Sequence, residues 1–336
     1  RGPFSFMNSL GTGEALRLVT AYASKHDGFP IPKCLVEHGK AGKPFDIPSV
    51  IRHDTDGVAV LTIRRPKVLN ALNQEVFAEI QHRVETADAD PSIQAIVLTG
   101  FGKKAFVSGA DVNFLAKIED VAHGERTSAG SQANVNAVGS ANKPVVCAMN
   151  GLAFGGGNEL AMACSLRLAK PGVKVFAGQP EVNLGIIPGA GGTQRLVRLV
   201  GFDNAAMMMR TGRPISSEQA LEMGLVSELV TGDLLTRAVE IAKDLASGAM
   251  TRPGIRSTPM SNVPEDLGEA RLGHLSSVVD AILCKAILEG AKMTLQDGIA
   301  FEAKCFGEVC GTKDMRIGVA NFLKNGPRSK AEFIHA

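Results

Sequence analysis

Buried strands alternate with amphipathic helices through the middle of this chain, and this alternation restricts the fold more than any other feature. Residues 58–63 are apolar except for Thr62, which predicts a strand buried on both faces. A helix with Asn73 as its cap is predicted next, because apolar residues recur there at spacings of three and four. Apolar strands are also predicted at 95–98 and 145–149, each running into a glycine-containing loop. The order predicts an α/β fold whose loops gather at strand ends, where ligands usually bind.

The flanking segments differ from this middle part. With 336 residues, 45% of them apolar, the chain can form one large domain or two modest ones. Residues 1–48 combine one predicted helix, at 15–22, with a loop rich in glycine and proline that extends to Pro48. After residue 232 only helices are predicted, at 234–245, 278–293, 298–309 and 314–323, with a surface loop at 251–268. We therefore divide the chain into segments 1–48, 49–245 and 246–336.

Charge and cysteine content exclude several classes of protein. The formal net charge is +2, from 36 basic and 34 acidic side chains without long blocks of one sign, so neither nucleic acid nor a membrane is a predicted partner. The six cysteines form no CxxC pair and no zinc-like spacing, which indicates reduced thiols and no metal site. No apolar stretch is long enough to span a bilayer, and no export signal is recognisable. The prediction is a cytoplasmic protein; because the chain begins with Arg1 rather than Met, we expect upstream sequence to be missing.

Two glutamates follow glycine-rich motifs and are the candidate catalytic residues. Glu159 comes just after the glycine run 155–157, and Glu181 ends the tetrad 178–181. A glycine run ahead of an apolar stretch suits a tight turn that opens a helix, with bare N–H groups able to face an oxygen atom. Such a turn is an oxyanion-hole design, and two carboxylates beside it can serve as general acid and general base on a carbonyl compound.

From about residue 50 to its C-terminus, the chain resembles the enoyl-CoA hydratase (crotonase) family. The resemblance implies a spiral of ββα units followed by a C-terminal helical region that serves oligomerisation, as a homotrimer or a hexamer. It also implies an acyl-CoA thioester as the substrate, with no metal and no other cofactor. The motifs that carry the resemblance occur in the order typical of the family: Arg65-Pro66-Lys67, Leu69-Asn70-Ala71-Leu72-Asn73, and residues 106–111, 143–151, 155–162, 178–185 and 188–196.

The resemblance also implies roles for the candidate catalytic residues. The backbone amides of Ala110 and Gly156 would form the oxyanion hole for the thioester oxygen. Glu159 would deprotonate the water that attacks the β carbon, and Glu181 would deliver a proton to the α carbon on the same face. Because the two carboxylates share one water, they are expected to titrate as a coupled pair with one pKa raised.

Further residues are assigned by the same resemblance. Gln179 is predicted to hold Glu159 in place, and the amide of Gly189 to position the water. The predicted substrate-binding residues are Lys67, Leu69, Ser108, Asp111, Val112 and Pro180. The chain departs from the common pattern, chiefly in the predicted phosphate contacts, at Asn113, Ser165 and Asn325-Gly326.

Residues 1–48 resemble, less specifically, the end of the helical C-terminal domain of 3-hydroxyacyl-CoA dehydrogenases and a linker. The residues that carry this second resemblance are Gly2-Pro3-Phe4, Pro32, Leu35-Val36, Gly39-Lys40 and Gly42-Lys43. The implied protein is a fused bifunctional enzyme, of which the dehydrogenase half would be a covalently linked partner. Because these residues contain no NAD-binding segment, no dehydrogenase activity is predicted for this chain.

The function implied is reversible syn addition of water to trans-2-enoyl-CoA, giving 3-hydroxyacyl-CoA in fatty-acid β-oxidation. One alternative is a Δ3,Δ2-enoyl-CoA isomerase or another crotonase-type acyl-CoA enzyme, which would use the same oxyanion hole with different proton transfers. A second alternative is a non-catalytic acyl-CoA-binding or assembly module. The presence of both glutamates favours hydration, and the sequence leaves the acyl chain length open.

Overall fold

A computed structural model describes residues 2–336, which form two compact units that meet in sequence at Ser49 and Val50. The first unit contains three helices, α1 (Pro3–Leu10), α2 (Thr12–Ala23) and α3 (Lys33–Ala41). The sequence predicted a loop from residue 23 to Pro48, and this prediction is wrong over α3. Leu35 is buried with Ala15 and Phe45 in a small core, and this tertiary contact stabilises a helix too short to persist alone.

The second unit, residues 50–336, contains nine strands and ten further helices. The strands are β1 (Val50–Thr55), β2 (Val58–Ile63), β3 (Ala95–Gly100), β4 (Ala105–Val107), β5 (Val145–Met149), β6 (Leu152–Phe154), β7 (Leu166–Ala169), β8 (Ala177–Gly178) and β9 (Glu228–Leu229). The helices are α4 (Gln74–Ala89), α5 (Val112–Leu115), α6 (Val121–Gly139), α7 (Gly156–Ala163), α8 (Gly192–Thr211), α9 (Ser217–Glu222), α10 (Leu234–Ser247), α11 (Ser277–Ala291), α12 (Leu295–Cys310) and α13 (Lys313–Asn325). Two 3-10 helices, Pro66–Val68 and Glu181–Leu184, complete the unit.

The strands form two sheets that the chain visits in turn. The six-stranded sheet has the order β1-β2-β3-β5-β7-β9, and the three-stranded sheet has the order β4-β6-β8. All pairs are parallel except β1 with β2. Because β3, β5 and β7 are each followed by a short strand of the other sheet and then by helix, the chain advances as a spiral of ββα units. The predicted α/β fold with its C-terminal helical region is confirmed.

The central strands β2, β3 and β5 of the large sheet are buried on both faces, as their mostly apolar composition predicts. One set of alternating side chains, including Val60 and Val97, packs with Ile241 of α10. The opposite set, including Leu61 and Ile96, belongs to the main core. This double burial makes the sheet a rigid frame for the loops that leave its strand ends.

Most predicted elements are present, with their ends shifted by a few residues. The Asn73 cap is confirmed, since its Oδ1 accepts a hydrogen bond from the Val76 amide at 3.0 Å. The four predicted C-terminal helices correspond to α10 to α13, and residues 251–276 contain neither helix nor strand. Strand β1 was not predicted, because four of its six residues are polar and only Val50 is buried. Over residues 2–336, none of the helices combines the length and apolar character that a bilayer crossing requires.

A buried ion pair attaches the irregular segment 251–276 to the helices around it. Arg210 of α8 donates to both carboxylate oxygens of Asp280 in α11, each at 2.8 Å. Its remaining nitrogen donates to the carbonyl groups of Leu267 and Gly268 at 3.1 and 2.8 Å. Both side chains are about nine-tenths buried, so the guanidinium depends on this carboxylate for charge compensation.

We expect Asp280→Ala to lower the free energy of unfolding by about 3 to 5 kcal/mol, because it leaves the Arg210 charge buried without its partner. Chemical denaturation measures this effect. The matched control is Glu289→Ala, which removes the half-exposed partner of Lys292 on the same helix and should cost less than about 1 kcal/mol. Equal losses from the two substitutions would contradict the assignment.

Candidate active site

One large cavity, with a volume of about 750 Å³, opens at the strand ends of the second unit. This volume is in the range of ligand sites. It is lined by loops after β2, β4 and β6, by the segment before α8, and by residues near the C-terminus. Ten of the predicted site residues line it: Leu69, Ser108, Ala110, Asp111, Val112, Gly156, Glu159, Pro180, Glu181 and Gly189. Residues far apart in sequence are thus brought to one place.

The two residues whose amides are predicted to form the oxyanion hole, Ala110 and Gly156, line the same cavity. Gly156 is the first residue of α7, where the first N–H groups have no intrahelical acceptor. A Cβ built on Gly156 would lie 3.8 Å from the amide nitrogen of Ala110. The loop carrying Ala110 is fixed by its neighbours, since Leu72 donates to Gly109 at 2.9 Å and accepts from Asp111 at 2.7 Å. Two backbone donors are therefore held at one end of the cavity.

Glu159 is held by a second helix N-terminus. It lies in the first turn of α7, is 2% exposed, and lines the cavity. Its Oε1 accepts hydrogen bonds from the amides of Ala190 and Gly192, both at 2.7 Å. Because these amides precede and begin α8, the positive end of that helix also favours the ionised carboxylate. The carboxylate is oriented by main chain alone.

Glu181 also lines the cavity. It begins the 3-10 helix Glu181–Leu184, and its Oε1 lies against Gly155, where a Cβ would come within 2.6 Å. Gly155 also has φ +50°, so both its conformation and the carboxylate beside it require glycine. The Oε2 atom of Glu181 is buried without a hydrogen-bond partner among residues 2–336.

The environment raises the pKa of both carboxylates. Burial raises the pKa of Glu181 to about 8. Burial also raises the pKa of Glu159, as do the nearby charges of Glu302 and Glu181, but the amides of Ala190 and Gly192 oppose this rise. Because two amides donate to Glu159 and favour its anion, Glu159 is the better candidate for the base and Glu181 for the acid.

Two predicted site residues do not line the cavity. Gln179 is fully buried, and its Oε1 accepts from Asn158 at 3.1 Å, while its Nε2 has no partner among the described residues. Its predicted contact with Glu159 is thus not formed as a hydrogen bond. Lys67 is exposed on the 3-10 helix Pro66–Val68, next to lining residue Val68. The roles proposed for both residues stay predictions.

Sequence reasoning missed two groups of residues. The amides of Ala190 and Gly192 were not assigned, although a run of glycines that opens a helix signals free N–H groups. Glu302 was also missed, although it interrupts the apolar face of α12 at the spacing of Ile299 and Phe306. Cationic or titratable side chains from the C-terminal part of the chain also line the cavity, namely His274, Arg328 and Lys330.

The spiral fold and a cavity that combines two amides with two carboxylates define a protein of the crotonase class. Residues 53–253 match the family model for enoyl-CoA hydratase/isomerase. The chain is 34% identical to a short-chain-enoyl-CoA hydratase of Clostridium acetobutylicum, over 83% of this chain and 96% of the relative. It is also 34% identical to a fatty acid oxidation complex subunit alpha of a Shewanella species, over 77% of this chain but 38% of that longer protein.

A crystal structure of enoyl-CoA hydratase from Bacillus anthracis superposes with a TM-score of 0.56 and 28% sequence identity, covering 86% of this chain and all of that one. The match to the family model covers more than half of this chain. The chain therefore belongs to the enoyl-CoA hydratase/isomerase family, as the sequence motifs predicted.

Proposed function

We propose that this protein is an enoyl-CoA hydratase that adds water reversibly to trans-2-enoyl-CoA. The observation that carries the proposal is the convergence of Ala110, Gly156, Glu159 and Glu181 on one cavity. The similarity to a short-chain-enoyl-CoA hydratase and to a fatty acid oxidation subunit supports the reaction and its use in β-oxidation.

The site chemistry follows from where charge develops. Water addition to an α,β-unsaturated thioester puts negative charge on the thioester oxygen, and the amides of Ala110 and Gly156 would stabilise it there. Glu159, ionised and oriented by two amides, would remove a proton from the attacking water. Glu181, neutral below about pH 8, would donate a proton to the α carbon. Since both carboxylates line one cavity, addition on one face of the double bond is the expected stereochemistry. No metal or further cofactor takes part in these steps.

Anionic coenzyme A needs cations near its phosphates. Arg328 and Lys330 are exposed and line the cavity, and we propose them as phosphate contacts, with Lys67 as an outer contact. They compensate for Asn325-Gly326, where the family pattern predicted basic residues. Gly189 is retained as the amide that positions the water, since it lines the same cavity.

Two rival functions make different demands on the site. A Δ3,Δ2-enoyl-CoA isomerase moves one proton within its substrate and does not require a second carboxylate to activate water. A binding or assembly module requires neither carboxylate. A pair of buried carboxylates at one cavity favours hydration, because the burial of charge is costly and hydration requires both an acid and a base.

The wider context of the protein is also proposed. We retain a cytoplasmic homotrimer or hexamer, with residues 246–336 as the oligomerisation region and 49–245 as the ββα core. Residues 1–48 are proposed to be the remnant of a dehydrogenase domain in a fused protein, since the chain matches only part of the fatty acid oxidation subunit.

The purified chain is expected to remove the absorbance of the conjugated thioester of crotonyl-CoA without an added cofactor. The pKa of Glu181 is raised to about 8, so its acid form is present below that pH and is lost as the pH rises through it. We therefore expect kcat to fall above about pH 8. Conversion of 3-enoyl-CoA without any hydration would support the isomerase, and binding without turnover would support the module. A series of enoyl-CoA chain lengths would define the acyl preference.

A further inference from the structure

A third carboxylate, Glu302 of α12, is fully buried close to the catalytic pair. It accepts hydrogen bonds from the amides of Gly191 and Thr193 at 2.6 and 2.8 Å. It also accepts from the Thr193 hydroxyl at 2.6 Å and from Gln132 Nε2 of α6 at 3.2 Å. Since Gln194 Nε2 donates to the same hydroxyl at 2.9 Å, the hydroxyl proton is directed at Glu302. Burial raises the pKa of Glu302, while all four groups around this carboxylate are donors and favour its anion.

The hydrogen bonds to Glu302 alternate with those to Glu159. Within residues 190–193, the amides of Ala190 and Gly192 donate to Glu159, and the two remaining amides donate to Glu302. Successive N–H groups of this segment therefore point to two different carboxylates. The segment cannot shift toward or away from one carboxylate without disturbing its hydrogen bonds to the other.

We propose that Glu302 is a positioning residue that fixes the segment 190–193, and so places the Glu159 carboxylate to deprotonate the attacking water. The proposal rests on the proposed hydratase function. Glu302 does not line the cavity, so it acts through the main chain and not on the substrate. Its position joins α6, α8 and α12 at the start of α8, where a small displacement would be transmitted directly to Glu159.

The charge of Glu302 also acts on Glu159 and Glu181. It raises the pKa of both Glu159 and Glu181, after the larger effect of burial. The nearby group of opposite charge is Arg195 of α8, which is buried and donates to the carbonyl of Ala190 at 3.0 Å. Removing the charge of Glu302 leaves Arg195 in place, and therefore lowers the proton affinity of Glu159 and Glu181.

The test is the substitution Glu302→Gln, which retains the shape of the side chain but directs an NH₂ group at a donor. We expect kcat for crotonyl-CoA hydration to fall about 10²-fold, the usual effect of a displacement of about 1 Å. KM should change less than about threefold, because the substrate contacts are intact. The fall in kcat above about pH 8 should move to lower pH, because the acid loses a neighbouring negative charge.

Three further variants separate positioning and charge from general stability. Glu302→Asp keeps the charge, so it should keep the wild-type pH profile while kcat stays low. Thr193→Val removes one donor and is expected to lower kcat about tenfold without a shift in pH profile. Glu308→Gln, on the exposed side of the same helix, is the matched control and should leave kcat and the pH profile unchanged.

Several outcomes would overturn the inference. One is a Glu302→Gln variant with a lower Tm but wild-type kcat and pH profile, since a merely structural role predicts that result. Should that variant fail to fold, wild-type kcat in Thr193→Val would also overturn it. If the wild-type chain hydrates nothing, the hydratase proposal fails separately. The inference is then judged by carbon-13 NMR titration of the Glu159 carboxyl in the wild type and in Glu302→Gln. If the pH midpoint of this titration is the same in both proteins, the charge of Glu302 does not act on Glu159.

Discussion

Glutamine at position 159 is expected to lower kcat for crotonyl-CoA hydration by about 10²- to 10⁴-fold, the range typical of a lost general base. Glutamine can still accept the amide hydrogen bonds of Ala190 and Gly192 through its carbonyl oxygen, so the fold and the cavity should persist. What it cannot do is remove a proton from water. The measurement is kcat at a pH well below 8, where Glu181 is in its acid form.

The control for this substitution is Glu222→Gln, an exposed glutamate at the end of α9 that does not line the cavity. It removes the same charge from the protein and should leave kcat unchanged. Thermal unfolding of both variants checks that neither loses structure. Unchanged turnover in Glu159→Gln would show that this carboxylate is not the base.

The second large effect is expected from Gly156→Pro, which deletes a single backbone N–H. Gly156 is the first residue of α7, a helical position where proline is well tolerated because its N–H has no intrahelical acceptor. A Cβ at this position meets no atom closer than 3.8 Å. Loss of one oxyanion donor should lower kcat by about 10²- to 10³-fold. Steady-state kinetics of the variant measure kcat, and a thermal melt measures its Tm.

Gln74→Pro is the matched control, because it introduces proline at the first residue of α4, where the side chain is exposed and the Asn73 cap is retained. We expect wild-type kcat from it. If Gly156→Pro keeps wild-type turnover with an unchanged Tm, the Gly156 amide does not stabilise the developing charge. A variant that loses both Tm and activity would instead indicate that the ring distorts the start of α7.

Both predictions depend on helix N-termini that face one cavity from different directions. The start of α7 would serve the substrate oxygen, and the start of α8 serves the carboxylate of the base. In each case the active groups are main-chain amides, so the side chains nearby have to be small. Gly192 shows the constraint, because a Cβ there would lie 2.7 Å from Glu159 Oε1. This accounts for the two glycine-rich motifs in the sequence.

Much of the fold followed from the sequence because local patterns specify it. The apolar run at β2, the cap at Asn73 and the glycine run before α7 each act within one element. The helix α3 was missed because contacts outside the helix stabilise it, and the strand β1 because its sequence is mostly polar. The motifs also indicated the two glutamates and the family.

By itself, then, the sequence determined the α/β class, the ββα spiral, the family and the candidate acid and base. Only the tertiary structure decided which groups surround these carboxylates, namely the amides at the start of α8 and Glu302 from α12, and which cations near the C-terminus line the cavity. The reason is physical. A backbone amide has no residue signature, and the proton affinity of a carboxylate is set by burial and by charges from elements more than a hundred residues away.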